Sequence, residues 1–118
     1  MPALDQRSRI VAATPESWPM LLELFTDRGA VEGCWCQFWR LSGGAFEEHR
    51  GAANRCSLKE QVDRGERPGL LALRAGQPVG WCAVGPRERF NRIERSRTLR
   101  RIDALPVWSV PCFFVRRD

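Results

Sequence analysis

Five cysteines are the side chains of this chain best suited to covalent or metal chemistry: Cys34, Cys36, Cys56, Cys82 and Cys112. Zinc sites are usually built from paired C-x2-4-C or Cys/His clusters, and the single His49 has no partner, so we expect no metal. The odd count and irregular spacing argue against a disulfide framework and predict reduced thiols. Cys82 and Cys112 lie in apolar stretches, where burial is expected to raise the pKa of a thiol and make it unreactive.

Four tryptophans are candidates for the walls of a substrate pocket: Trp35, Trp39, Trp81 and Trp108. Aromatic side chains of this size usually fill hydrophobic cores, which is the alternative at each position. Glu88 and Glu94 are candidate general bases. They lie in an arginine-rich stretch, however, where carboxylates usually form surface ion pairs. The catalytic residues are therefore left unassigned.

The densest positive charge lies between Arg87 and Arg101, in a chain with a net charge of +5. Such a run attracts phosphates when it forms a continuous surface. Acidic residues interrupt this run, and nearly all of the positive charge is arginine, with Lys59 the only lysine. The pattern favours a solvated, partly salt-bridged face over a nucleic-acid groove.

The bulk composition predicts one soluble domain spanning residues 1–118. Apolar residues make up 43% of the chain and charged residues 28%, values that are ordinary for a globular protein. The longest apolar stretches are far shorter than the ~20 residues that cross a bilayer. No apolar signal core precedes Ile10. We therefore expect no membrane span and a cytoplasmic protein.

The N-terminal part of the chain predicts a strand and then a helix. Ser8–Ala13 is short, apolar and β-branched, which is typical of a strand. Thr14 is the expected N-cap of a helix over Pro15–Arg28, whose apolar residues recur at helical spacing. The aromatic segment Glu32–Arg40 is expected to be an extended loop or a strand.

The remaining chain predicts helices and then three strands. Helical turns are expected over Ala45–Arg50 and from an N-cap at Asn54 to Arg64, a hairpin over Leu70–Leu73 and Val79–Val84, a loop or short helix over Glu88–Arg101, and a last strand over Val107–Val115. Pro111 cannot donate to a ladder, so a bulge or a free edge is expected there. The predicted fold is α+β, with a mostly antiparallel sheet of about four strands and N-terminal helices packed on it.

Three segments carry a resemblance to a known family: Cys34–Arg40, with the pattern C-W-C-x-x-W-R; Gly76–Arg87, which opens with G-x-P-V-G-W; and Pro106–Val115. Together with the order of elements, they resemble acetyltransferases of the GNAT superfamily, in particular a bacterial subgroup. The resemblance covers essentially the whole chain. It implies an incomplete GNAT-like fold, in which residues 1–118 form the N-terminal part of the domain.

The resemblance implies acetyl transfer from acetyl-CoA to the amine of a small molecule or peptide. In the family, the fourth strand lies beside the pantetheine arm and bonds it through main-chain groups, and Phe113 and Val115 match those cofactor contacts. The family then continues into a Q/R-x-x-G-x-G/A loop that holds the pyrophosphate, whereas this sequence stops at Asp118. A tyrosine often protonates the departing thiolate, and this chain has none. We therefore expect weak activity or none from this chain alone.

The sequence leaves a second function open. A non-catalytic module that binds a small ligand or a protein would use the same half of the fold. An exposed last strand also predicts pairing with another chain, for example in a homo-oligomer. The acceptor amine is not identified by these residues, because one fold serves many acceptors.

Overall fold

The chain has an α+β fold built on a four-stranded antiparallel sheet, as the sequence predicts. The structure is a computed structural model that describes residues 8–26, 33–41 and 51–116. The strands are β1 Ser8–Ala12, β2 Gly69–Arg74, β3 Gln77–Pro86 and β4 Trp108–Val115. The helices are α1 Trp18–Phe25, α2 Ala52–Asp63 and the short α3 Asn91–Glu94, which follows a 3-10 turn at Arg87–Arg89.

The strands lie side by side in chain order, β1-β2-β3-β4. A tight turn at Ala75 and Gly76 joins β2 to β3, and both residues have positive φ angles, 50° and 79°. This pairing of angles is that of a type I′ turn, whose twist matches the twist of the flanking strands. The predicted hairpin is confirmed.

Among the described residues, β4 is an edge strand, and it carries a bulge. Its register with β3 moves from Ala83 opposite Cys112 to Gly85 opposite Ser109, so β4 carries one extra residue between these pairs. Pro111 lies in that interval and has no N–H for the ladder. Both alternatives predicted for Pro111, the bulge and the free edge, are present.

The hydrophobic core lies on one face of the sheet, beneath α1, α2 and residues 33–41. Its members alternate with exposed residues along β2, where Leu71 and Leu73 are buried and Leu70 is not. The most completely buried apolar side chains from the helices are Leu21, Phe25, Leu58 and Val62. The opposite face presents exposed apolar side chains, including Ile10 and Val115.

Helix α1 begins at Trp18 rather than at Pro15. The Ser17 hydroxyl accepts a hydrogen bond from the Thr14 N–H at 2.9 Å and donates one to the Ala12 carbonyl at 2.7 Å. These bonds fold residues 14–17 into a turn that precedes the helix, so Ser17 is the N-cap and the prediction of Thr14 is wrong. The predicted end at Arg28 lies outside the described residues.

Helix α2 begins at Ala52, after Gly51 at φ 74°. Asn54 was the expected N-cap, but it is buried inside the first turn and its amide donates to the Gly33 carbonyl at 3.1 Å. The prediction for Asn54 is wrong because this side chain fastens a distant segment instead of its own helix. The helical turns predicted over Ala45–Arg50 lie outside the described residues.

Gly69 of β2 has no room for a side chain. A Cβ there would overlap the Cys82 carbonyl oxygen and the ring of Trp81. Gly69→Ala should therefore lower the free energy of unfolding by about 1–3 kcal/mol, as overpacked cores do. At Gly80 a Cβ would meet its nearest neighbours at 3.6 Å, which is ordinary contact. Gly80→Ala is the matched control, and urea denaturation that finds equal losses in both variants would contradict the packing described.

Candidate functional site

The outer edge of β4 exposes main-chain groups of Phe113 and Val115. The Arg116 N–H donates to the Val79 carbonyl at 3.0 Å, and Phe114 lies directly opposite Trp81. Residues of an antiparallel ladder alternate between bonding the neighbouring strand and pointing away from it. Phe114 and Arg116 therefore bond β3, while Phe113 and Val115 direct their N–H and C=O groups outward. In the part of the chain that is described, β4 is the outermost strand on this side.

The side chains of β4 alternate between the two faces of the sheet. Phe113 is 72% exposed and Val115 is 68% exposed. Cys112 and Phe114 point to the opposite face and pack against the core, where Phe114 meets Phe25 edge to face at 5.8 Å. The strand thus combines outward-facing polar main-chain groups on its edge with apolar side chains on both faces.

A cavity of about 230 Å³ lies between α1, residues 33–41, β3 and β4. It is lined by Phe25, Cys34, Cys36, Phe38, Trp39, Trp81, Cys112, Phe113 and Phe114. Among these residues the thiols are the only ionisable side chains, so the lining suits an uncharged or apolar group. The lining includes Phe113, one of the two residues of β4 whose main chain faces outward.

The structure brings together two of the four candidate tryptophans. Trp39 and Trp81 line the cavity. Trp35 is buried in the core instead, stacked against Trp18 with 6.4 Å between ring centroids. Trp108 begins β4 and is 69% exposed, away from the cavity. Trp35 therefore fills the core, which was the alternative to a place in the pocket wall.

Residues 33–41 reach the cavity through tight turns. The Gln37 N–H donates to the Cys34 carbonyl at 3.0 Å, and the central residues Trp35 and Cys36 have φ angles of 46° and 59°. The prediction of an extended loop or strand over Glu32–Arg40 is therefore wrong for the residues described. Left-handed backbone at a non-glycine residue costs about 1–3 kcal/mol. Here the burial of the Trp35 side chain offsets that cost.

Two glutamine amides hold this turn against α2. Gln37 is fully buried, and its Nε2 donates to Gln61 Oε1 at 3.3 Å while Gln61 Nε2 donates back to Gln37 Oε1 at 3.0 Å. Gln37 Nε2 also donates to the Trp35 carbonyl at 3.2 Å. Because the pair satisfies buried polar atoms on both sides, it fixes the height of the turn above the sheet.

Trp81, Cys36 and Cys112 interact within the cavity. The indole Nε1 of Trp81 donates to the Cys36 sulfur at 3.2 Å, and hydrogen bonding between the Cys36 and Cys112 thiols is the largest influence on the pKa of each. The bond from Cys36 lowers the pKa of Cys112 to about 7, against the opposing effect of burial. The pKa of Cys36 lies well above its usual range, because of the bond to Cys112 and then because of burial.

The predicted rise in thiol pKa is found for one of the two strand cysteines and not for the other. Burial raises the pKa of Cys82, as expected. The prediction for Cys112 is wrong because a thiol donor faces it in the folded protein. The two residues look alike in sequence, since both lie in apolar strands, and only the tertiary contact separates them.

The arginine run is partly salt-bridged, as predicted. Arg87 pairs with Glu94 at 2.7 Å, and Arg101 pairs with Glu88 at 2.9 Å and with Glu94 at 3.0 Å. A bond to its own backbone, followed by that from Arg101, holds the pKa of Glu88 below its usual value. Both candidate bases thus serve as partners of arginine outside the cavity.

Residues 8–26, 33–41 and 51–116 contain neither a cluster suited to a metal ion nor a helix suited to a membrane. Within them, no three or more His, Cys, Asp or Glu side chains are grouped so as to hold a metal ion. No helix within them has both the length and the apolar character to cross a membrane.

Comparisons with protein-family models, curated proteins and solved structures find no match to this chain. The site is therefore interpreted from its own geometry. Sequence reasoning missed the pairing of Cys36 with Cys112. The one available signal was the alternation of β4, which places Cys112 on the same face as the buried side of Phe114.

The lowered pKa of Cys112 predicts that this thiol reacts near neutral pH. At a pKa of about 7, about half of it is thiolate at pH 7, against about 3% of a cysteine of ordinary pKa 8.5. Cys34 and Cys36 are the titratable groups that line the same cavity. Iodoacetamide labelling followed by peptide mapping should give a half-maximal rate at Cys112 near pH 7.

Cys36→Ala removes the hydrogen-bond donor and should move the labelling profile of Cys112 to higher pH. Cys56→Ala changes an exposed residue of α2 and should leave the profile in place. An unchanged profile in Cys36→Ala would show that the bond from Cys36 does not stabilise the Cys112 thiolate.

Proposed function

We propose that this chain is an acetyl-CoA-dependent N-acetyltransferase of the GNAT type, which holds the pantetheine arm along the open edge of β4. The observation that supports this most is the outward direction of the main-chain groups of Phe113 and Val115. These are the two positions at which the resemblance expects cofactor contacts. The α+β fold and the free edge of β4 are compatible with the same assignment.

The chemistry of pantetheine suits such an edge. The arm is extended and carries amide groups, so it can pair with free main-chain N–H and C=O groups as an added strand would. The exposed side chains of Phe113 and Val115 flank the edge and provide apolar contacts for the arm's methylene groups. An edge that would otherwise invite strand pairing thereby becomes a binding surface.

The cavity beside β4 would receive the reacting groups. Its apolar lining excludes water from the thioester, which strengthens any hydrogen bond to the carbonyl oxygen. The lining residues include no carboxylate or imidazole, so the acceptor amine would have to arrive neutral. Trp39 and Trp81 would form walls around the acceptor.

A single substitution separates main-chain binding from side-chain binding. Val115→Pro removes the outward N–H without breaking a bond to β3. It should weaken acetyl-CoA binding about twofold to tenfold, the effect of one hydrogen bond of about 0.5–1.5 kcal/mol. Val115→Ala shortens the side chain but keeps the N–H, and it is the matched control. Isothermal titration calorimetry of both variants and of the unmodified chain measures the effect.

Two outcomes would contradict the proposed pantetheine site. If both folded variants bind acetyl-CoA equally, or if the unmodified chain does not bind it at millimolar concentration, the edge of β4 is not a pantetheine site. Urea denaturation should give the two variants similar stabilities, because the removed N–H does not belong to the ladder.

A non-catalytic binding module is the second candidate. It is favoured by the absence of a carboxylate or imidazole from the described cavity lining and by the exposed apolar face that includes Ile10 and Leu70. Incubation with acetyl-CoA and a panel of primary amines distinguishes the two functions. Release of free CoA that depends on the amine supports the transferase, whereas a stable, monodisperse chain that does not bind acetyl-CoA supports the module.

A further inference from the structure

Two thiols from distant parts of the chain meet inside the cavity. Cys36 comes from the turn of residues 33–41 and Cys112 from β4, and hydrogen bonding between the two thiols is the largest influence on the pKa of each. Both line the same opening, together with Phe38 and Trp39. Two thiols that face one small cavity can form a disulfide once their sulfurs approach to about 2.05 Å.

The two thiols differ in their surroundings. Cys36 is buried and accepts the Trp81 indole N–H at 3.2 Å, so its sulfur is held in place. Cys112 is only half-buried and faces the cavity from the edge strand. Dithiol redox sites commonly pair a reactive, accessible cysteine with a second cysteine that is shielded. The pKa of Cys112, lowered to about 7, agrees with the role of the attacking thiol.

The left-handed turn supplies the shielded partner. Trp35 and Cys36 have consecutive positive φ angles, and the amide pair of Gln37 and Gln61 holds the turn in place. Strained backbone of this kind persists only where the surrounding structure enforces it. Its effect here is to present the Cys36 sulfur to Cys112.

We propose that Cys36 and Cys112 form a reversible dithiol–disulfide site whose substrate is a small, uncharged organic disulfide. The class of substrate follows from the cavity, whose lining consists of aromatic side chains and thiols. A charged disulfide would lose its hydration in such a lining without gaining an ion pair.

The reaction proceeds in two exchanges. The Cys112 thiolate attacks one sulfur of the substrate, which breaks the substrate S–S bond, forms a mixed disulfide and releases the first thiolate. Cys36 then gives up its proton to solvent or to that thiolate and attacks the Cys112 sulfur. This step forms the Cys36–Cys112 bond and releases the second thiolate. The protein loses two protons and two electrons, and the substrate is reduced to two thiols.

The new bond would tie residues 33–41 to β4. Both thiols line the cavity, so a covalent link between the turn and β4 would restrict the opening of that cavity. Oxidation would therefore close the space beside Phe113 on β4, and reduction would open it.

The probe is bis(2-hydroxyethyl) disulfide, applied at pH 7 to the unmodified chain, with glutathione disulfide as the charged comparison. Intact-mass measurement should show a loss of about 2 Da with no lasting adduct, since two hydrogens leave on oxidation. Peptide mapping should find Cys36 linked to Cys112. The neutral disulfide should react at least several-fold faster than the charged one.

Cys36→Ser isolates the first exchange. This variant should hold a stable mercaptoethanol adduct on Cys112, because the thiol proposed to resolve the mixed disulfide has been removed. A lasting adduct on Cys112 of the unmodified chain, or a link through Cys34 or Cys56 in place of Cys36–Cys112, would overturn the proposal. Mapping of the unmodified chain decides the matter even if the variant does not fold. No acetyl-CoA is used, so the result is independent of the proposed transferase activity.

Discussion

The rest of the structure depends on the contacts that the Trp81 indole makes. Its ring meets Phe25 of α1 edge to face at 5.6 Å, and it fills the space left by the missing side chain of Gly69. Its N–H donates to Cys36 and so fixes residues 33–41 above the sheet. One side chain of a central strand thus joins helix, turn and sheet, and it forms a wall of the cavity.

The edge of β4 is the part of this fold on which the proposed cofactor binding depends. Because Phe114 lies opposite Trp81 and bonds β3, its neighbours Phe113 and Val115 must direct their main-chain groups outward. The same alternation turns Cys112 inward toward Cys36. Binding of an extended ligand on the edge and thiol chemistry in the cavity are therefore two consequences of one strand register.

The sequence predicts those features that depend on neighbouring residues. Gly76 between two apolar runs predicts the hairpin, and Pro111 predicts the bulge and free edge of β4, because backbone geometry decides both locally. The start of α1 was missed because the Ser17 hydroxyl bonds the end of β1. The turn that contains Cys36 was missed because it depends on a buried amide, that of Gln61 in α2. The Cys36–Cys112 pair was missed for the same reason, since its two halves meet only after folding.

Amide hydrogen exchange, read residue by residue by NMR with and without acetyl-CoA, tests the proposed use of β4 most directly. In the free chain, the amide of Phe114 should exchange slowly and those of Phe113 and Val115 quickly, because only the first bonds β3. Acetyl-CoA should then slow the exchange of Phe113 and Val115 selectively. If those two amides are already protected in the free chain, or if acetyl-CoA leaves them unchanged, the proposed role of the β4 edge is wrong.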